Sequence, residues 1–167
     1  MKLKDLQNVV MAHTDMPTKP SKAVRKWDGR TPYYIHPIWC ATTLATETTL
    51  DEITREEGVQ ALLYHDILED TTTLPEELSE RVKYLVREMT FEGGSEQEME
   101  GIWEKPTEIK LLKLYDKVSN LLDGIWMDTE KRKTYMEYTK RLCKEVEQNY
   151  GELNITRIAR AIVGVDK

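Results

Sequence analysis

Apolar residues recur every three or four positions along most of this chain, and the elements they predict are helices. Leu3, Leu6, Val9 and Val10 mark one face of a segment over 2–14, with His13 near its end as a surface or capping residue. His36-Pro37 opens a second segment that runs to about Leu50, the proline standing in the first turn where its missing N–H does no harm. A third begins near Leu50-Asp51-Glu52 and continues to Asp70. Thr71-Thr72-Thr73 stops it. The next helix takes Thr73 as N-cap and Pro75 in its first turn, and carries a stripe of Leu78, Val82, Leu85, Val86 and Met89. Residues 107–122 are apolar on nearly every side, which predicts a buried helix. Two more helices cover 129–148, with Tyr135, Tyr138, Leu142 and Val146 inward, and 152–163, with Ile155, Ile158, Ala159 and Ile162 inward. Strand patterns are scarce, so the expected fold is all-α, about six or seven helices around one core.

Glycine and proline interrupt this pattern twice. The stretch from Met16 to Ile35 holds Pro17, Pro20, Gly29 and Pro32, and its basic residues Lys19, Lys22, Arg25, Lys26 and Arg30 strongly outnumber Asp28. It reads as a loop, either a solvated one or an anion clamp, and composition alone favours the solvated reading. Residues 91–107 contain Gly93, Gly94, Gly101 and Pro106 among many acids, and read as a loop that bears on specificity. Neither stretch separates two domains, so residues 1–167 are expected to form a single domain. A net charge of −6 excludes a general affinity for nucleic acid or anionic membrane but leaves room for a local basic patch that takes a phosphorylated small molecule. No apolar run approaches the roughly 18 residues of a membrane span, and Met1-Lys2-Leu3-Lys4-Asp5 lacks a signal-peptide core, so the expected location is the cytoplasm. Cys40 and Cys143 lack metal-site spacing and read as buried thiols.

Four polar residues break the apolar run Ala61–Thr71: His65, Asp66, Glu69 and Asp70. A buried imidazole or carboxylate is costly unless a charge, a hydrogen bond or a metal compensates it. Glu69 lies three residues beyond Asp66 and four beyond His65, and Asp70 four beyond Asp66, so helical spacing crowds all four onto one end of one face. A divalent cation held by His65 and Asp66 would place Glu69 and Asp70 over its ligand. A solvated helix end explains Asp70 but leaves His65-Asp66 unexplained. Asp116 poses the same question in the middle of the helix over 107–122, as either a packing salt-bridge partner or a metal ligand. Its company with His36 and His65-Asp66 in one chain favours the ligand.

Read in order, Arg25-Lys26, then Pro32-Tyr33-Tyr34-Ile35-His36-Pro37, then His65-Asp66-Ile67-Leu68-Glu69-Asp70-Thr71, then Lys113-Leu114-Tyr115-Asp116-Lys117 resemble the HD superfamily of metal-dependent phosphohydrolases. More closely, they resemble the (p)ppGpp hydrolase domain of RelA/SpoT-type enzymes and small alarmone hydrolases, over about residues 5–146. The resemblance implies an HD-type helical domain. It makes His36, His65, Asp66 and Asp116 ligands of a divalent metal, typically Mn²⁺, and Glu69 and Asp70 the catalytic acidic pair. It further implies that Arg25 stacks on a nucleobase with Lys26 as its basic neighbour, that Asn120 contacts the nucleotide, and that Tyr135 places an aromatic ring against it. The expected substrate is a small guanosine nucleotide carrying a 3′-pyrophosphate.

Three departures bear on the substrate. Two additional residues lie between Arg25 and Pro32. Ser119 stands where the family places a histidine before the asparagine, and Leu122-Asp123 stand where it often has an arginine and a threonine. A carboxylate at Asp123 would repel a polyphosphate if it faced the site. These changes keep open an HD hydrolase acting on another nucleotide, such as a 5′-nucleotide, a dNTP or NADPH; a non-catalytic nucleotide-binding module is a further alternative, and the presence of both Glu69 and Asp70 argues against it.

Overall fold

The computed structural model describes residues 3–14, 23–70 and 74–164, apart from the side chain of Asp70. Among these residues the fold is all-α, with nine helical segments: α1 Leu3–Thr14, α2 Ile35–Ala45, α3 Glu52–Tyr64, α4 Ile67–Asp70, α5 Glu80–Met89, α6 Gly94–Gly101, α7 Thr107–Leu122, α8 Thr129–Tyr150 and α9 Asn154–Val163. Short 3₁₀ turns at Ile102–Glu104 and Gly124–Trp126 flank α7.

The central element is α7. Every residue from Ile109 to Ser119 is buried, because α2, α3, α5, α8 and α9 all pack against it. The all-round apolar pattern over 107–122 therefore reports a helix at the middle of the fold. Where α3 crosses α2 and α7 the contact is close: a Cβ on Gly58 would sit 2.7 Å from Leu44 Cδ2 and 3.1 Å from Leu112 Cδ2. A larger residue there would push the helices apart. Asp51, Ser79 and Asp128 cap α3, α5 and α8, each accepting from the backbone N–H three residues on.

Several boundaries and faces differ from the sequence reading. The segment over 50–70 does not run through; it breaks after Tyr64, and His65-Asp66 occupy the turn before α4. The acidic stretch over 91–107 is not a loop but folds into α6 and a 3₁₀ turn, so nine segments replace the expected six or seven. Pro75 lies before α5, which starts at Glu80 behind Ser79 as its cap; Thr73 lies outside the described residues. The buried face of α1 is Asp5, Val9 and His13, while Leu3 is exposed. His13 is therefore a core residue rather than a surface one. Its ring packs against Tyr33 at 4.9 Å between centroids, and the Tyr64 hydroxyl donates to Asp5 Oδ1 at 3.2 Å. The Asp5 carboxylate is met by a hydroxyl distant in sequence, and the His13 ring by a distant aromatic one, which helical periodicity alone does not reveal.

Glu47 is buried in the link after α2. Its Oε1 accepts from the Tyr115 hydroxyl at 2.8 Å and from Ile155 N–H at 3.0 Å, and its Oε2 from Asn154 N–H at 2.9 Å. A carboxylate from 107 residues away thus satisfies the first amides of α9 and favours its positive end. Glu47→Ala strands these donors, and should cost about 3 kcal/mol in a denaturant-unfolding measurement, against about 0.5 kcal/mol or less for Glu56→Ala on the exposed side of α3. Equal losses in the two variants would contradict this account of the α9 cap.

Candidate active site

His36, His65, Asp66 and Asp116 reach one point from α2, the turn after α3, and the centre of α7. All four are buried. His36 Nε2 lies 3.2 Å from His65 Nε2, 3.5 Å from Asp66 Oδ2 and 3.4 Å from Asp116 Oδ1; His65 Nε2 lies 3.3 Å from Asp66 Oδ1 and 4.0 Å from Asp116 Oδ1. His36, His65 and Asp116 offer ligand atoms all within 4.8 Å of one another.

The break between α3 and α4 explains the placing of the adjacent pair. The Leu62 carbonyl lies 2.7 Å from His65 Nδ1 and can only accept, so Nδ1 carries the proton and Nε2 presents its lone pair. Backbone N–H of Glu69 reaches the Asp66 carbonyl at 3.0 Å, tightening the turn. Tyr33 donates its hydroxyl to Asp66 Oδ2 at 2.8 Å, and Ser119 Oγ lies 2.8 Å from His36 Nδ1. Ser119, noted as a departure, is thus the residue that orients His36. Burial lowers the pKa of His36 despite the nearby Asp116 and Asp66 carboxylates, keeping the ring neutral. Two imidazoles and two carboxylates meet in one buried spot, and a ligand set of this kind suits a divalent cation.

Burial works against the charge on Asp116, but the Lys117 and Lys113 ammoniums outweigh it and hold the carboxyl well below the usual range. Each of these ammoniums lies 3.1 Å from Asp116 Oδ2, and Asn120 Nδ2 donates to Oδ1 at 2.6 Å. Asp116 is therefore both a salt-bridge partner and a member of the His-Asp cluster, so the two sequence readings do not exclude each other.

A cleft of about 280 Å³ opens over the cluster, lined by Arg25, Lys26, Asp66, Glu69, Asp116, Asn120 and Tyr135 among the residues expected from the sequence. His36 and His65 lie beneath these groups. Asp70 closes α4, and its side chain lies outside the described residues, as do Thr71, Lys19 and Lys22. Sequence reasoning missed Phe91, Glu98, Trp126 and Lys131, which also line the cleft. Lys26 Nζ stands 4.4 Å and Lys131 Nζ 4.9 Å from the centre of the Trp126 ring.

Arg25 is buried, so the basic stretch is not wholly a solvated loop. Its Nε donates to Asp123 Oδ2 at 2.5 Å, its Nη2 to Asp123 Oδ1 at 2.9 Å and to Asn120 Oδ1 at 2.8 Å. This fork neutralises Asp123, which removes the repulsion expected of a bare carboxylate there. It also links the loop to Asp116 through Asn120. A chain of net charge −6 thus gathers Arg25, Lys26, Lys113, Lys117 and Lys131 around one cleft.

Comparison with known proteins bears on the family and the fold. The guanosine-3′,5′-bis(diphosphate) 3′-pyrophosphohydrolase MESH1 of Danio rerio is 39% identical over 103 residues, spanning 56% of this chain and 56% of the relative. MESH1 of Drosophila melanogaster is 30% identical over 147 residues, spanning 78% of this chain and 80% of the relative. MESH1 of Mus musculus is 35% identical over 109 residues, 59% of each. The chain thus spans little more than half the length of the zebrafish and mouse relatives in these alignments. No family model matches it. A solved structure described as a metazoan ortholog of SpoT that hydrolyses ppGpp superposes with a TM-score of 0.71 over 97% of this chain and 95% of that one, at 24% identity, a likeness of fold. With the Drosophila alignment covering most of both proteins, the chain belongs to the MESH1 family within the HD superfamily.

Proposed function

We propose that this chain is a divalent-cation-dependent phosphohydrolase that removes the 3′-pyrophosphate from ppGpp-like guanosine nucleotides. The observation that carries the reading is the convergence of His36, His65, Asp66 and Asp116 beneath a cleft that also presents Glu69 and a set of cations. The activity for which the three MESH1 relatives are named supports it. In this reading residues 1–167 act as one catalytic domain of a cytoplasmic enzyme.

His36, His65, Asp66 and Asp116 would hold the cation, Mn²⁺ in this proposal. Bound there, it supplies Lewis acidity that lowers the pKa of a water and neutralises phosphoryl charge. Tyr33 and Ser119 keep Asp66 and His36 turned toward the site. Glu69 and Asp70, on the helix that follows, form the acidic pair that orients the attacking water and takes its proton. The water oxygen bonds to phosphorus as the bond to the 3′ oxygen breaks, and pyrophosphate and a free 3′ hydroxyl result. Arg25, Lys26, Asn120 and Tyr135 line the path a nucleotide takes to that point. The Arg25–Asp123 fork removes the objection that Asp123 raises to a polyphosphate substrate, because that carboxylate is already paired.

Mn²⁺-loaded protein should release pyrophosphate from ppGpp, and Glu69→Ala should keep the cation while losing about 10²-fold or more in kcat. A panel of ppGpp, pppGpp, NADPH, dNTPs and 5′-mononucleotides tests the substrate: turnover of another member with ppGpp inert would overturn it, and no turnover at all would make the chain a binding module. Arg25→Ala and Asp123→Ala should each raise KM for ppGpp with little change in kcat, and the double variant should be no worse than the poorer single one, since both act through one fork. Additive losses would show that the two residues work separately.

A further inference from the structure

Glu98 is the one acidic residue of α6 that is buried, and no role in hydrolysis is assigned to it above. Its Oε2 accepts from Lys117 Nζ at 2.8 Å and from Lys113 Nζ at 3.0 Å, and its Oε1 from the Tyr138 hydroxyl at 3.0 Å. The same two ammoniums reach Asp116 Oδ2, while Asp116 Oδ1 faces His36. Two lysines are thus shared between two carboxylates, one of which belongs to the His-Asp cluster.

The charges explain why the sharing matters. Asp66 and Asp116 are the two carboxylates of the cluster, and Lys113 and Lys117 are the two buried ammoniums set against it. Without a further anion these two carboxylates and two ammoniums sum to zero, and Lys113 and Lys117 oppose a cation arriving among His36, His65, Asp66 and Asp116. Both ammoniums would also draw on Asp116 alone, weakening it as a donor. Glu98 restores a negative balance and takes half of the lysine pairing upon itself. Its carboxylate is fixed by three donors, so the effect is built into the fold rather than supplied by solvent.

We propose that Glu98 is a positioning residue for the cation site: by sharing Lys113 and Lys117 with Asp116, it leaves Asp116 the charge and orientation to ligate a divalent cation. This rests on the reading of the His-Asp cluster as a cation site, and not on the identity of the nucleotide. Partners one step removed from a metal typically govern its affinity by about 10–100-fold.

Calorimetric titration of Mn²⁺ into chelator-stripped protein tests this without any substrate. Glu98→Gln should weaken the Mn²⁺ dissociation constant by about 10-fold or more, and Glu98→Asp should recover most of it. The double variant Glu98→Gln/Lys117→Gln should bind Mn²⁺ more tightly than Glu98→Gln alone, because removing one ammonium restores the balance. A merely structural role predicts additive damage instead. Unchanged affinity in a folded Glu98→Gln protein, or a double variant weaker than the single, overturns the inference. If Glu98→Gln does not fold, Lys117→Gln in the wild-type background decides: tighter Mn²⁺ binding supports the inference and weaker binding overturns it. These affinity changes in a protein inert toward ppGpp would support the inference while overturning the substrate reading. A wild-type protein that binds no divalent cation overturns both.

Discussion

Placing Asp116 at the middle of the most deeply buried helix imposes the constraint that the rest of the site answers. A carboxylate there, left alone, would protonate or unfold its surroundings. Lys113 comes from the turn before it on α7, Lys117 from the next position, Asn120 from one turn after it, and His36 from α2 across the interface. Each compensating group then needs partners of its own. Glu98 on α6 takes up the lysines, Ser119 takes up His36, and Arg25 joins Asn120 to Asp123. The polar centre is thereby a connected network rather than a set of isolated pairs, and networks of this kind hold geometry at a cost in stability that the surrounding apolar core offsets.

The same constraint gives the cleft its electrical character. The chain is acidic overall, yet its cations concentrate where α7 meets the loop bearing Arg25 and the start of α8. Some are tied into the network, as Arg25 is to Asp123, while Lys26 and Lys131 stand over Trp126 at the mouth. An anionic ligand therefore meets fixed positive charge before it reaches the buried His-Asp cluster, which suits a substrate carrying phosphates toward a metal.

Residue types whose burial is unusual made much of this legible in the sequence. His65-Asp66 inside an apolar run and Asp116 inside an apolar helix stand out by composition alone, and their order with His36 carries the family resemblance. Helices α7, α8 and α9 follow the apolar periodicity to within two residues of the expected limits. What stayed hidden depends on contacts between distant residues. Glu98 looked like one acid among many in a glycine-rich stretch, because α6 owes its place to Lys113 and Lys117 rather than to a strong helical pattern. Asp123 looked like a liability, because its partner lies 98 residues away. The inward face of α1 was misread because Asp5 and His13 are buried against Tyr64 and Tyr33.

The central claim is that His36, His65, Asp66 and Asp116 together form one divalent-cation site. Diffraction from crystals soaked in Mn²⁺, recorded at the manganese absorption edge, tests it most directly. The account predicts a single strong anomalous peak at coordinating distance, about 2.0–2.3 Å, from the two Nε2 atoms and the two carboxylates. A peak elsewhere on the surface with none at this cluster would contradict it.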